Sequence, residues 1–145
     1  MIILVIVGLV LTALLGLVTW AKVREIHSDW TAFESVTLKK RNAIGKGVFN
    51  LMEGIHHFKN YILRAGDYDR QFEADMAAIG DSVAQYRQIG AATSEEEKLL
   101  VDLESGIGTY RSAMAAAVKG HEAGQGTAEL DRSVKGADKA LGEAL

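Results

Sequence analysis

Apolar positions divide the chain into a solid block followed by periodic stretches. From Met1 to Trp20 no residue is charged. As a helix, a run of that length rises about 30 Å, one bilayer core. Beyond Lys22 apolar side chains return every three or four residues, the period of a buried helix face. The first seam runs Val23, Ile26, Trp30, Phe33, Thr37, Lys40, Ile44, Gly47 and Leu51. Two consecutive steps of four, a stutter, then lead through Ile55 to Phe58 and Ile62. A second seam is Phe72, Met76, Ile79, Val83 and Tyr86; a third is Leu100, Leu103, Ile107, Tyr110, Met114 and Ala117. A fourth begins with Leu130, Val134, Ala137 and Leu141. Period-two alternation does not persist over any useful length, so the expected class is all-α.

The breaks carry helix-end chemistry. Ala65-Gly66-Asp67 suits a left-handed C-cap and a fresh start, and Gly90 ends the second seam. Thr93 with Glu96, and Ser94 with Glu97, are overlapping capping boxes. Thr127 follows the glycine-rich stretch 120–126 as the next N-cap. The expected organisation is a transmembrane helix over 1–21 and a domain over 22–145, with helices at about 22–65, 69–89, 94–119 and 127–145. Short connections imply antiparallel neighbours, hence an up-down-up-down four-helix bundle. The first helix would rise about 65 Å and the fourth about 28 Å, so the fourth is expected to be truncated and to continue in a longer protein.

Composition narrows the function classes. Sixteen basic and nineteen acidic residues give a net charge of −3, against a nucleic-acid partner. Without cysteine there is no disulfide, thiolate zinc site or c-type haem attachment. The apolar start lacks a basic leader and a small-residue cleavage site, so it reads as an uncleaved anchor. Taken literally, the positive-inside rule puts Lys22 and Arg24 in the cytoplasm.

One stretch adds a family likeness. His57-Phe58-Lys59-Asn60-Tyr61-Ile62-Leu63-Arg64-Ala65-Gly66-Asp67 resembles the F-K-N-Y-h-L-R-x-G segment near the first bend of the four-helix-bundle ligand-binding domains of methyl-accepting chemotaxis proteins. Tyr68 and Phe72 then stand as an aromatic pair, Tyr86 closes the second helix, and Thr93 to Leu100 looks like the family's acidic third-helix start. The resemblance implies an inner-membrane receptor with its bundle in the periplasm, against the charge rule, and a homodimer. It also implies a small-molecule ligand or a periplasmic binding protein as partner; no cofactor and no enzymatic activity are expected from the residues themselves. The same input domain occurs on diguanylate cyclases and histidine kinases, and a membrane-tethered scaffold that senses nothing is the rival reading.

No nucleophile triad, phosphate loop or helical metal-ligand pair occurs, so no catalytic or metal site is expected. His56 and His57 are adjacent, point about 100° apart and cannot chelate one ion together; both read as surface or cap histidines. Lys40 interrupts the first seam within Lys39-Lys40-Arg41. It reads either as a snorkelling side chain on a solvated face or as a weak point that tunes a dimer contact or receives an anion. His56, Lys59 and Arg64 form the candidate ligand-binding set by position and charge. The competing role for Lys59 and Arg64 is to favour the helix C-terminal dipole. Gly8 and Gly16 nearly share a face of the anchor and suit either close helix approach or ordinary lipid packing, while Gly106 and Gly108 suit softness or tight packing.

Overall fold

The computed structural model describes residues 1–90 and 92–145, and only the backbone of Val5 and Ala140. Among the described residues there is helix and no strand. The chain falls into two compact units, Met1–Leu38 and Lys39–Leu145.

The first unit consists of α1 (Ile2–Ala32) and a π-helical segment, Phe33–Leu38. Apart from half-buried Val36, its described side chains are exposed, including Ile3 at 77%, Leu9 at 66% and Trp20 at 61%. The helical run Ile2–Arg64 contains one stretch long and apolar enough to cross a membrane, with none of that stretch buried. That stretch is not a separate element, because α1 continues through the first charged residues to Ala32. Its hydroxyls are satisfied internally: Thr12 donates to the Gly8 carbonyl at 2.8 Å and Thr19 to the Leu15 carbonyl at 2.9 Å. That economy suits a helix in lipid, where an unmade hydrogen bond is costly.

The expected first seam divides at the same place. Val23, Ile26, Trp30 and Phe33 remain 47–66% exposed, and Thr37 is exposed too. No second helix exists within Met1–Leu38 to cover them.

The second unit holds α2 (Lys39–Arg64), α3 (Tyr68–Ile89), α4 (Ser94–Glu122), α5 (Thr127–Ser133) and α6 (Lys139–Ala144). Contacts pair Gly47 with Ser82 and Phe58 with Phe72, so α2 and α3 run antiparallel. Arg87 with Glu97 and Glu73 with Arg111 set α4 antiparallel to α3. Leu130 approaches Gly120 and Leu141 approaches Gly106, so the last segment returns along α4. At the centre three rings meet: Phe58–Phe72 centroids lie 5.6 Å apart, while Tyr110 is 4.9 Å from each. Phe72 and Met76 are fully enclosed, and such side chains contribute about 1.5–3 kcal/mol each.

The second and third seams are buried at every position named from the sequence. In α2 the seam passes through Gly54 rather than Ile55, which is only half-buried. A Cβ on Gly54 would meet Met76 Cε at 2.7 Å, so a missing side chain brings α2 close to α3 there. Gly106 acts likewise towards Leu141, whose Cα would lie 3.2 Å from an added Cβ, whereas Gly108 faces open space. The expected single helix over 127–145 is instead two short ones. Gly136 adopts φ +79°, in a turn where the Ala137 amide bonds the Val134 carbonyl at 3.1 Å. Ser133 Oγ also donates to the Leu130 carbonyl at 2.8 Å, a local bond that favours ending a helix. Leu130, Val134 and Leu141 nevertheless reach the core.

At the end of α2, Ala65 has φ +51°, the one non-glycine left-handed residue among the described residues. Relieving that conformation recovers about 1–2 kcal/mol. The added unfolded-chain entropy of glycine costs about 0.4–1 kcal/mol. Ala65→Gly is therefore expected to stabilise the fold by about 0.5–1 kcal/mol, read as a higher denaturant midpoint with unchanged slope. A lower midpoint would show that the half-buried methyl contributes more than the strain removes.

Candidate functional site

The three residues singled out for ligand binding all lie on α2 and are exposed; His56 and Lys59, three positions apart, are neighbours on its surface, and Arg64 stands away from Lys59. Lys59 and Arg64 are five positions apart, which turns them about 140° from each other. Lys59 borders a cleft of about 200 Å³ with Asp131, Lys135 and Asp138, and a more open one with Leu63 and Thr127. His56 and Arg64 line neither.

The densest polar geometry is elsewhere. Lys40 is buried to 9% exposure, so it neither lies on a solvated face nor snorkels. Its Nζ sits 3.2 Å from both carboxylate oxygens of Glu96 and 4.7 Å from the centre of the Tyr86 ring. Tyr86 donates its hydroxyl hydrogen to the same carboxylate. The Thr93 backbone N–H donates to Glu96 Oε2 at 2.6 Å, and Thr93 Oγ1 accepts from the Glu96 amide, which completes a capping box. One carboxylate thus ties the first turn of α2, the last turn of α3 and the first turn of α4. Beside it Arg87 bridges Glu97 at 2.8 Å and Glu104 at 2.5 Å.

These contacts set the local acidities. Hydrogen bonds from Tyr86, the Thr93 backbone and Lys40 hold the Glu96 carboxyl down at about 2. Burial, and then the Glu96 bond and charge, push the Tyr86 hydroxyl up to about 12. Arg87 pulls Glu104 below the usual carboxylate range. Burial raises Tyr110 at the ring cluster and Tyr61 near the end of α2.

Two histidines serve as struts. His57 Nδ1 donates to Asp75 Oδ2 at 2.6 Å, with both side chains mostly buried and the Tyr68 ring stacked 6.2 Å away. His57 is therefore a link between α2 and α3 rather than a surface histidine, whereas His56 is exposed. His121 reaches from α4 to the end of α2, where Nε2 faces the carbonyls of Tyr61 at 3.1 Å and Ile62 at 3.2 Å. The Tyr61 carbonyl also accepts from the Ala65 amide at 2.8 Å, and the His121 ring N–H adds a donor at a helix end, where carbonyls outnumber donors. His121 was missed from sequence. Its only signal was a histidine in the last turn of a helix, and its partners lie about sixty positions away. Among the described residues no group of three or more His, Cys, Asp or Glu side chains is placed to hold a metal ion.

The Glu96 cluster gives the fold a defined pH response. Glu96 is depressed from 4.5 in the unfolded chain to about 2, so its stabilisation is present above pH 4.5 and is lost as pH falls through 2. Tyr86 is raised from 10 to about 12, so its stabilisation is present below pH 10 and is lost as pH rises through 12. Glu96→Gln should flatten the acid limb of a midpoint-against-pH curve and shrink the alkaline one. An acid limb identical to that of the unaltered chain would remove Glu96 as its source.

No protein-family model matches the chain, and neither a curated protein nor a solved structure does.

Proposed function

We propose that this chain is the extracytoplasmic input region of a bacterial transmembrane receptor, held by its apolar span and acting as a homodimer. In this reading the second unit is the antiparallel bundle of a chemoreceptor sensor domain, in the periplasm, and the span lies in the inner membrane. A ligand, or a binding protein that carries one, shifts the balance between two packings of the dimer, by no more than its difference in affinity for them.

A single observation carries the reading. Val23, Ile26, Trp30, Phe33 and Thr37 follow steps of three, four, three and four, and their faces are uncovered. Such spacing is a coiled-coil seam, and an exposed apolar stripe of this kind asks for a partner. A second copy anchored in the same membrane offers the same stripe at high local concentration. The same mechanics serve a receptor whose output is a cyclase or a kinase.

The chain has no cysteine, so single Ile26→Cys and Ser28→Cys substitutions report proximity cleanly in native membranes. Under mild oxidation the seam position is expected to cross-link at least about tenfold faster than the opposite face, since only the seam approaches its twin. A panel of amino acids and organic acids should change that rate. Equal rates at both positions would sink the dimer, and a seam rate that no small molecule moves would leave a tether in place of a sensor.

A further inference from the structure

In the second unit Lys40 pairs with Glu96, Arg87 with Glu97 and Glu104, and Arg111 with Glu73. A recess of about 640 Å³ lies between α2 and the end of α3. Lys39, Arg41 and Lys46 line it, no acidic residue does, and among the described residues none of the three has an ion-pair partner.

The rest of the lining adds shape. Asn42 and Gln85 bring amide donors from α2 and α3, which suit carboxylate or phosphate oxygens. Phe49, 62% exposed, and Ile89 supply an apolar wall. Gly45 borders the same space, and a Cβ added there meets nothing within 4 Å. Lys39 and Lys46 are two turns apart, a rise of about 10 Å, so the charges are spread over more than one inorganic ion spans. The recess falls within the usual size range of small-molecule sites, about 300–1,000 Å³.

We propose that this recess binds an organic anion bearing two or more carboxylate or phosphate groups on a planar apolar body. Lys39 and Lys46, seven positions apart and so on one side of α2, meet the charged groups, Arg41 reaches in from the far rim of the recess, and the body lies against Phe49. The site is distinct from His56, Lys59 and Arg64, and it supplies a ligand class for the sensory reading without depending on it.

The test is calorimetric titration of the full chain in phosphatidylcholine nanodiscs with benzene-1,3,5-tricarboxylate, and with citrate as a ringless anion of similar charge. The aromatic acid should bind, with citrate at least about fivefold weaker, because stacking on Phe49 is lost. The Arg41→Gln/Lys46→Gln double variant should weaken binding by about tenfold or more through loss of charge-assisted bonds. Gly45→Leu, which fits the fold and favours helix, should block the recess, while Lys119→Gln, at an exposed position away from it, should bind as the unaltered chain does. Circular dichroism of each variant checks that the helices persist. No binding of either acid, equal binding by every variant, or binding only to phosphatidylglycerol nanodiscs would overturn the proposal. Binding without any change in the Ile26→Cys cross-linking rate would uphold the site and count against sensing instead.

Discussion

Packing in the second unit depends on one face of α2 being covered from Ala43 to Ile62. Both α3 and α4 close on that face, and the Phe58–Phe72–Tyr110 cluster is where all three helices share side chains. Buried aromatic and aliphatic side chains contribute a few kcal/mol each, whereas exposed ion pairs contribute about 0–1 kcal/mol. Arg70–Asp67 and Lys139–Glu143, both well exposed, are therefore minor. The apolar face sets the stability, and the polar groups decide how its ends are finished.

The Lys40–Glu96 pair belongs to that finishing. An ammonium group placed in a helix seam loses its hydration, and an attraction to one carboxylate does not by itself repay the loss. Here the lysine also meets the face of Tyr86, and the carboxylate also accepts from Tyr86 and the Thr93 backbone. Each charge is hydrogen-bonded on more than one side, which is the condition under which a half-buried pair persists. The same geometry orients three helix ends at once. An apolar side chain at position 40 could fill the space but could not specify that arrangement.

What the residues made legible follows from the range of the forces involved. The seams of α3 and α4 were readable because a helix face is a local property, fixed by side chains within three or four positions. The Thr93–Glu96 capping box was readable for the same reason. Gly54 was not, since apolar content pointed to Ile55 and only the partner helix shows that close approach counts for more than bulk. The break at Gly136 was hidden because Leu130, Val134 and Leu141 keep helical spacing across it. His57 with Asp75, and His121 with the end of α2, were invisible because each joins helices that only the fold brings together. The candidate set of His56, Lys59 and Arg64 rested on charge and position, and neither measure includes the direction in which a helix turns its side chains.

Charge distribution links the finished core to its surface. Glu96 is bound on several sides by Lys40, Tyr86 and Thr93, while Lys39, Arg41 and Lys46 line a recess without an acidic residue. The net charge of −3 conceals a local positive recess within a slightly acidic protein. Lys39 and Lys46, seven positions apart, return to nearly the same side of α2, and Ala43 and Gly47 on that stretch enter the core. The recess and the core are thus built on the same two turns of one helix, and an anion held by those lysines would bear on the segment that the core already fixes.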